Sequence, residues 1–245
     1  MIEVRHLARH AELVEAVALQ KEIWGFSDAD LIPVRLFVVA TKVGGQAIGA
    51  FDGGRMIAFA LSIPGLKPGG GYYLHSHMLG VLPEYRNSGI GRAIKLKQRE
   101  DALARGIQLV EWTFDPLELK NAYFNIERLG AIVRRYVLNQ YGRTTSALHG
   151  SLPTDRCVAE WWLGHPRTRA LVDEGRPPER LPVRARIAVP AGIAEIKQNE
   201  PKRALEIQSR VSREFLEHFE KNLAVTCFER THQAGVYLLG PWESK

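Results

Sequence analysis

The sequence predicts a mixed α/β (α+β) fold, and three observations carry this prediction. Segments with helical periodicity alternate with short apolar runs that are bounded by glycine and proline. Asp52-Gly53-Gly54 separates two of the apolar runs, and such a tripeptide indicates an antiparallel hairpin. Arg86-Asn87-Ser88-Gly89-Ile90-Gly91 stands between a strand-like run and a helical run. It therefore predicts a tight turn from a strand into a helix.

The residues before that turn account for one helix and several strands. An amphipathic helix is expected from Ala11 to Trp24, and Gly25 follows it as a stop signal. Leu36 to Thr41 is a short apolar element. The hairpin strands are expected at Gln46–Phe51 and Arg55–Ile63.

The strand that leads into the turn is expected over Leu74–Leu82. Pro83 ends it because proline has no amide hydrogen to donate. The helix after the turn is expected over Arg92–Arg105, with Gly106 at its end. Periodicity and breakers then predict five strands and two helices. The strands are Gln108–Phe114, Ala131–Leu138, Val183–Val189 and the hairpin Val225–Arg230 with Gly235–Leu239, and the helices are Leu119–Leu129 and Glu200–Leu223, with Pro201 in the first turn of the second.

Composition excludes several classes of function. Hydrophobic residues make up 45% and charged residues 24% of the 245 residues, which is ordinary for a globular protein. We expect no membrane span and no signal peptide, and hence a cytoplasmic protein. Only two cysteines occur, far apart and without clustering, so neither a disulfide framework nor a structural zinc site is expected.

The net charge of +6 does not predict nucleic-acid binding. Residues 156–245 hold 15 Lys and Arg against 12 Asp and Glu, and the remainder holds 18 against 15. The positive charge is therefore spread along the chain and forms no basic block. A mild positive charge instead favours an anionic cofactor.

The glycine turn has the properties of an anion site. Its backbone amides stand at a helix N-terminus, where they have no helical partner, and its glycines let a ligand approach the main chain. Each amide that bonds a phosphate oxygen contributes about 1.5–3 kcal/mol. Four or five such bonds suffice to hold a pyrophosphate.

The spacing Arg-x-x-Gly-x-Gly, preceded by Leu79-x-Val81-x-Pro83-x-Tyr85, resembles the acetyl-CoA signature of the GNAT family of N-acetyltransferases. The resemblance covers residues 1–150 and implies a central mixed sheet flanked by helices. It also implies that the backbone of the strand end pairs with the pantetheine arm of acetyl-CoA. The cofactor-binding residues expected on this basis are Leu79, Gly80, Val81, Arg86, Asn87, Ser88, Gly89, Ile90, Gly91, Arg92 and Asn121.

His75 and His77 are the candidate proton acceptors. They are two apart on a strand, which places both rings on one face, about 6.7 Å apart along the chain. The order His-x-His ahead of the turn is similar to the arylalkylamine N-acetyltransferase branch, where paired histidines are linked to proton removal from the amine. Two alternatives stay open: a pair of hydrogen-bonded core histidines, and a metal pair, for which no third ligand lies close by in sequence.

The general acid does not carry over from the family. The family places a thiolate-protonating tyrosine on a helix before a glycine, and here Ile126 holds that position before Gly130. Tyr123 is the nearest phenol and is taken as the candidate acid, with Tyr136 and Tyr141 as further candidates. For each of these tyrosines a packed aromatic side chain is the competing interpretation.

Two weaker features have structural explanations as well. Arg184 and Arg186 share a strand face and suit the 3′-phosphate of the cofactor, an acidic substrate or a solvated sheet edge. Trp161-Trp162 suits a core or an interface better than a ligand platform.

The sequence thus predicts an acyl-CoA-dependent N-acyltransferase, which moves an acetyl group from acetyl-CoA to a primary amine of a small molecule or a peptide. Residues 1–150 are expected to form the GNAT-like domain, and 151–245 an α/β extension that docks on it and selects the substrate. The alternative is a catalytically silent CoA-binding sensor or scaffold, which the missing tyrosine favours. No nucleic acid or membrane partner is expected, and a homodimer is left open.

Overall fold

A computed structural model describes residues 1–142 and 152–243 of the chain. These residues form two compact units, the first Met1–Glu111 and the second 112–142 with 152–243. The predicted domain boundary between residues 150 and 151 lies outside the described residues. It stays a prediction.

The first unit is a mostly antiparallel sheet with helices. Its strands follow the order β1-β2-β3-β4-β5, in which only the β4–β5 pair is parallel. The unit boundary divides β5 after Glu111. The elements are β1 (Ile2–His6), α1 (His10–Trp24), α2 (Val34–Lys42), β2 (Gln46–Asp52), β3 (Arg55–Leu66), β4 (Tyr72–Val81), α3 (Ile90–Ala104) and β5 (Leu109–Phe114).

The predicted elements of this unit are confirmed within a few residues at each end. Helix α1 ends at Gly25, whose left-handed φ of 66° glycine adopts without strain. The hairpin turn between β2 and β3 uses Gly53 and Gly54, with φ of 55° and 88°. The short element at 36–41 belongs to helix α2. Strand β1 is an additional strand of five residues, in which Ile2 is exposed and Val4 is partly buried.

Aromatic side chains dominate the core of the first unit. Phe37 and Phe59 are completely buried, and their ring centroids lie 5.9 Å apart. Trp24 meets Phe59 edge to face at 5.8 Å. These contacts pack α1 and α2 onto one side of the sheet.

A buried polar network lies between helix α3 and the sheet. Lys95 is 4% exposed, and its Nζ donates to Ser76 Oγ at 2.9 Å and to Gln98 Oε1 at 3.0 Å. Gln98 Nε2 donates to Ser62 Oγ at 2.6 Å, and Ser62 donates to Gln46 Oε1 at 3.2 Å. Burial lowers the pKa of Lys95 well below its ordinary value.

We expect Lys95→Met to remove a pH dependence of the free energy of unfolding, because it replaces a buried group whose pKa is lowered by burial. Because the native pKa lies below the unfolded one, the unfolded chain binds the proton that the native state excludes. The free energy of unfolding of the wild-type protein should then rise with pH until the pH reaches the ordinary pKa of lysine. Urea unfolding at pH 7 and 9.5 should show this rise flattened in Lys95→Met. Lys97→Met, at a partly exposed lysine that pairs with Glu100, is the control. An unchanged pH dependence in Lys95→Met would contradict the account.

The second unit is also a mostly antiparallel sheet with helices. Its strand order is β5-β7-β6-β9-β10-β8, and β10 pairs with both β9 and β8. Helix α4 continues as a π-helical turn over Phe124–Arg128. The elements are α4 (Leu119–Tyr123), β6 (Ile132–Val137), β7 (Arg156–Trp162), α5 (Pro166–Val172), β8 (Ala185–Pro190), α6 (Ile193–Asn199), α7 (Pro201–Glu220), β9 (Leu223–Arg230) and β10 (Ala234–Pro241).

The C-terminal hairpin and the long helix of the second unit are confirmed, with Pro201 at the start of α7. Helices α5 and α6 are additional short elements of seven residues each. Tyr237 and Trp161 fill the core, and both bond buried carbonyls: Tyr237 Oη donates to Pro116 O at 2.6 Å and Trp161 Nε1 to Leu129 O at 2.7 Å. Trp161 is thus a core residue, which agrees with the core interpretation.

Truncation after Leu152 should give an insoluble or unfolded fragment. Strand β6 pairs with β7 on one edge and with β9 on the other, and the truncation removes both partners. Ile132 and Val133, which are fully buried, would then be exposed on an unpaired strand. Size-exclusion chromatography and circular dichroism of the fragment 1–152 check this. A soluble fragment that melts cooperatively would show that the predicted extension is dispensable.

Candidate active site

The turn between β4 and α3 leaves backbone amides without helical partners. Asn87 and Gly89 have left-handed φ of 62° and 88°. The first helical hydrogen bond runs from Ala93 N to Gly89 O at 3.0 Å. The amides of residues 89–92 therefore precede the first bond of the helix and have no partner within it. This arrangement suits an anion with several oxygen atoms.

Side chains of the turn hold its shape. Arg86 Nε donates to Val81 O at 3.3 Å, and its Nη2 donates to Ile23 O at 3.2 Å. Ser88 Oγ donates to Tyr85 O at 2.5 Å. The guanidinium of Arg86 thus ties the turn to the ends of β4 and α1.

The packing around Gly91 leaves room for a side chain. A Cβ atom built there would lie 3.7 Å from Leu79 Cδ2 and 3.9 Å from Val81 Cγ2, which are ordinary contacts. Gly91 lies in the first turn of α3, so its backbone accepts any residue. The packing of the chain itself therefore does not require a glycine at this position.

The end of β4 offers a strand edge. Among the described residues, β4 and β5 pair only at Leu74 with Val110 and His75 with Glu111. From Ser76 to Val81 this edge of β4 has no β5 partner, so its backbone groups suit an extended ligand. Gly80 has no room for a side chain, because a Cβ there would lie 2.8 Å from Ile23 Cδ1.

The two histidine rings lie close together, with centroids 6.0 Å apart. The register between β3 and β4 shifts at this point: Leu61 faces Met78, and Ser62 faces Ser76. His77 is therefore the extra residue of a β-bulge, a device that re-aims side chains. The prediction that the two rings are neighbours is confirmed, although the bulge, and not simple alternation, sets the direction of His77.

Burial lowers the pKa of His77 below its ordinary value of 6.5. The imidazole is consequently neutral at pH 7 and stays neutral somewhat below pH 6.5. A neutral imidazole accepts a proton, which is the state that removal of an amine proton requires.

Glu111 was missed by the sequence reasoning. It is the ladder partner of His75, and its side chain is 4% exposed and paired with Lys67 Nζ at 2.5 Å. The available signal was a single carboxylate inside the otherwise apolar strand Leu109–Phe114. Only the parallel register, which sequence does not give, brings it beside His75.

The predicted residues Asn121 and Tyr123 lie in the second unit. Asn121 is exposed, and the ring of Tyr123 lies 5.6 Å from Arg230 Cζ. Ile126 is fully buried in the π-helical turn, and its carbonyl accepts a bond from Arg167 Nη2 at 3.0 Å. The roles predicted for Asn121 and Tyr123 stay predictions. The same holds for the identity of the general acid, which Ile126 does not supply.

The remaining candidates of the second unit have structural partners. Tyr136 Oη bonds Ser212 Oγ at 2.9 Å, and burial raises its pKa well above the ordinary value. Tyr141 Oη lies 2.9 Å from Thr113 Oγ1. Arg186 Nη1 donates to Glu229 Oε2 at 3.2 Å on an exposed face. This favours the solvated-edge interpretation of Arg186.

The described residues 1–142 and 152–243 hold neither a metal-binding cluster nor a membrane-spanning helix. They contain no group of three or more His, Cys, Asp or Glu side chains that is arranged to hold a metal ion. No helix within them has the length and apolar character that crossing a membrane requires.

Comparison with known proteins identifies relatives of the first part of the chain. Residues 11–130 match the sequence model of the family described as Acetyltransferase (GNAT) family. Sequence comparison with curated proteins gives no significant match.

Solved structures share the fold at low sequence identity. The ribosomal-protein-S18-alanine N-acetyltransferase from Escherichia coli has a TM-score of 0.54 at 17% identity, over 67% of this chain and 96% of its own. Naa20 from Chaetomium thermophilum, in complex with a bisubstrate analogue, has a TM-score of 0.52 at 18% identity, over 71% and 94%. NAA60 from Arabidopsis thaliana, in complex with acetyl-CoA, has a TM-score of 0.52 at 14% identity, over 66% and 99%.

Proposed function

We propose that this chain belongs to the acetyltransferase (GNAT) family, whose sequence model matches residues 11–130. On this basis we propose that it is an acyl-CoA-dependent N-acyltransferase, which transfers the acetyl group of acetyl-CoA directly to a primary amine. One observation carries the proposal. A single strand, β4, bears the histidine pair and then runs into the turn whose amides suit an anion.

The turn and the strand end are the residues that fit acetyl-CoA. The amides of Gly89, Ile90, Gly91 and Arg92 are placed to bond the diphosphate, with Asn87 and Ser88 shaping the turn. The exposed backbone edge at Leu79, Gly80 and Val81 suits the extended pantetheine arm. When bound, acetyl-CoA supplies the activated acetyl group, and Asn121 is a further proposed contact.

The histidine pair is proposed to take the proton of the acceptor. A primary amine has an ordinary pKa of about 10.4, so making it neutral at pH 7 costs roughly 4.6 kcal/mol. His77, which is neutral at pH 7 because burial lowers its pKa, is able to accept that proton with His75 beside it. The His-x-His strand is also the feature that resembles the arylalkylamine branch of the family.

Tyr123 is retained as the proposed acid for the departing thiolate. It is the phenol nearest in sequence to the position that Ile126 holds. The two-domain division at residue 150, the cytoplasmic location and the absence of a nucleic-acid partner are likewise retained as proposals, and the homodimer stays open.

The acceptor is proposed to be a small-molecule amine or a peptide amine. Structures of NAA60 and Naa20 were solved with bisubstrate analogues, and that of Naa50 with CoA-Ac-MVNAL, which joins CoA to a peptide. Both acceptor classes belong in the test. Purified protein with acetyl-CoA should release free thiol when a mixed panel of alkylamines, arylalkylamines and short peptides is added. Thiol release that is absent with every amine would leave a silent CoA-binding protein as the better account.

A further inference from the structure

The Lys67–Glu111 ion pair has one buried and one open partner. The side chain of Glu111 is 4% exposed and that of Lys67 is 29% exposed. Lys67 Nζ lies 2.5 Å from Glu111 Oε1. A cation beside a buried carboxylate offsets part of the cost of taking its charge out of water, so this position favours an ammonium or guanidinium group. Solvent reaches the pair from the side of the ammonium group.

An aromatic ring completes the surroundings of this ammonium group. Lys67 Nζ lies 4.6 Å from the ring centroid of Tyr73. Tyr73 faces Gly65 across the β3–β4 ladder, and a Cβ at Gly65 would lie 2.4 Å from two ring carbons. Glycine therefore lets the ring lie directly on the strand. A carboxylate together with an aromatic face is the chemistry that recognises an alkylammonium ion.

The same groups stand next to the histidine pair. Glu111 and His75 are ladder partners, so their side chains leave the sheet on the same face. Tyr73 precedes His75 by two residues on β4 and shares that face. An ammonium group at this position is thus a neighbour of the side chains that are proposed to accept its proton.

Lys67 belongs to a short turn and not to either strand. Strand β3 ends at Leu66 and β4 begins at Tyr72. The backbone bonds of Lys67 stay inside the turn: Lys67 N donates to Gly71 O, and Gly70 N donates to Lys67 O, both at 3.0 Å. Removal of the lysine side chain from Glu111 therefore requires no break in the β3–β4 ladder.

On the basis of the proposed transferase function, we propose that Glu111 and Tyr73 form the ammonium subsite for the acceptor amine, and that Lys67 occupies this subsite when no acceptor is bound. The acceptor then displaces one ammonium group with another, and the buried carboxylate always keeps a cation. The acceptors that fit are primary ammonium ions without an adjacent carboxylate, because a second negative charge would be repelled by Glu111.

The binding test uses n-butylammonium as the probe and needs no turnover. Its binding is followed by NMR through the ring signals of Tyr73 in protein with labelled tyrosine, assigned with Tyr73→Phe. We expect Lys67→Met to bind the probe about tenfold more tightly than wild type, because the internal competitor is gone. Glu111→Gln should lose about tenfold or more. The neutral isostere n-butanol should leave the signals unchanged.

Two further variants keep the test decisive. Lys67→Arg keeps a cation on Glu111 if Lys67→Met does not fold, and its forked guanidinium should compete better and weaken probe binding. Lys42→Met, an exposed lysine at the end of α2, is the matched control and should change nothing. Equal probe binding in wild type, Lys67→Arg and Glu111→Gln would overturn the proposal, as would n-butanol acting like n-butylammonium.

The kinetic test separates this proposal from the transferase function. In an active protein, Glu111→Gln should raise the KM for the amine at least tenfold with little change in the KM for acetyl-CoA. Turnover with an unchanged amine KM in Glu111→Gln would refute the subsite alone. Probe binding in the expected pattern, in a protein that acetylates no amine, would refute the transferase function alone.

Discussion

Gly91→Glu should abolish the binding of acetyl-CoA and leave the protein folded. A side chain at this position meets only ordinary contacts with Leu79 and Val81. Replacing a helical glycine gains up to about 1 kcal/mol of stability, and a carboxylate suits a helix N-terminus. The same carboxylate fills and repels the place proposed for the diphosphate. Loss of only two amide bonds to phosphate costs about 3–6 kcal/mol, which lowers affinity by 100-fold or more.

Calorimetric titration with acetyl-CoA measures this effect, and thermal unfolding checks the fold. Gly91→Gln separates bulk from charge, because it fills the site without repelling an anion, and it should bind more tightly than Gly91→Glu. Gly91→Ala adds one methyl group and is the control for helix stabilisation. Undiminished affinity in a folded Gly91→Glu variant would mean that the turn does not hold the cofactor.

His77→Gln should lower turnover at pH 7 by about 100-fold, the scale of a lost general base. Burial lowers the pKa of His77, so the wild-type protein keeps its neutral imidazole, and its rate, to a pH below 6.5. The variant should recover part of its rate at high pH, where the amine loses its proton unaided. His75→Gln should behave similarly if the two rings relay the proton.

Rates measured from pH 5.5 to 10 distinguish a proton-transfer role from a structural one. An equal loss of rate at every pH would mean that His77 has a structural role in the β-bulge and does not transfer the proton. His232→Gln, an exposed histidine in the turn between β9 and β10, is the matched control and should retain the full rate.

The features that could be predicted from the sequence are those whose backbone conformation depends on residues close by in the chain. Gly25 ends α1, and Gly53-Gly54 closes the β2–β3 hairpin, because the left-handed backbone there depends on glycine itself. The turn between β4 and α3 also depends on neighbouring residues, since Gly89 adopts a left-handed backbone and α3 begins immediately afterwards.

The features that sequence could not give depend on register or on distant partners. The bulge at His77 exists only relative to β3, and the place of Glu111 beside His75 depends on the β4–β5 ladder. Lys95 stands among charged residues in sequence, yet it faces Ser76 and is buried. The π-helical turn at Phe124–Arg128 lies where Arg167 bonds the carbonyl of Ile126, 41 positions away.

The central claim is that this chain moves an acetyl group onto a primary amine. Its most direct test is mass spectrometry of the amine panel after incubation with isotope-labelled acetyl-CoA and the wild-type protein, with Gly91→Glu as the comparison. The account predicts the labelled acetyl group on the nitrogen of at least one primary amine with wild type, and none with Gly91→Glu. Tight binding of acetyl-CoA by the wild type, without labelled product from any amine, would contradict it.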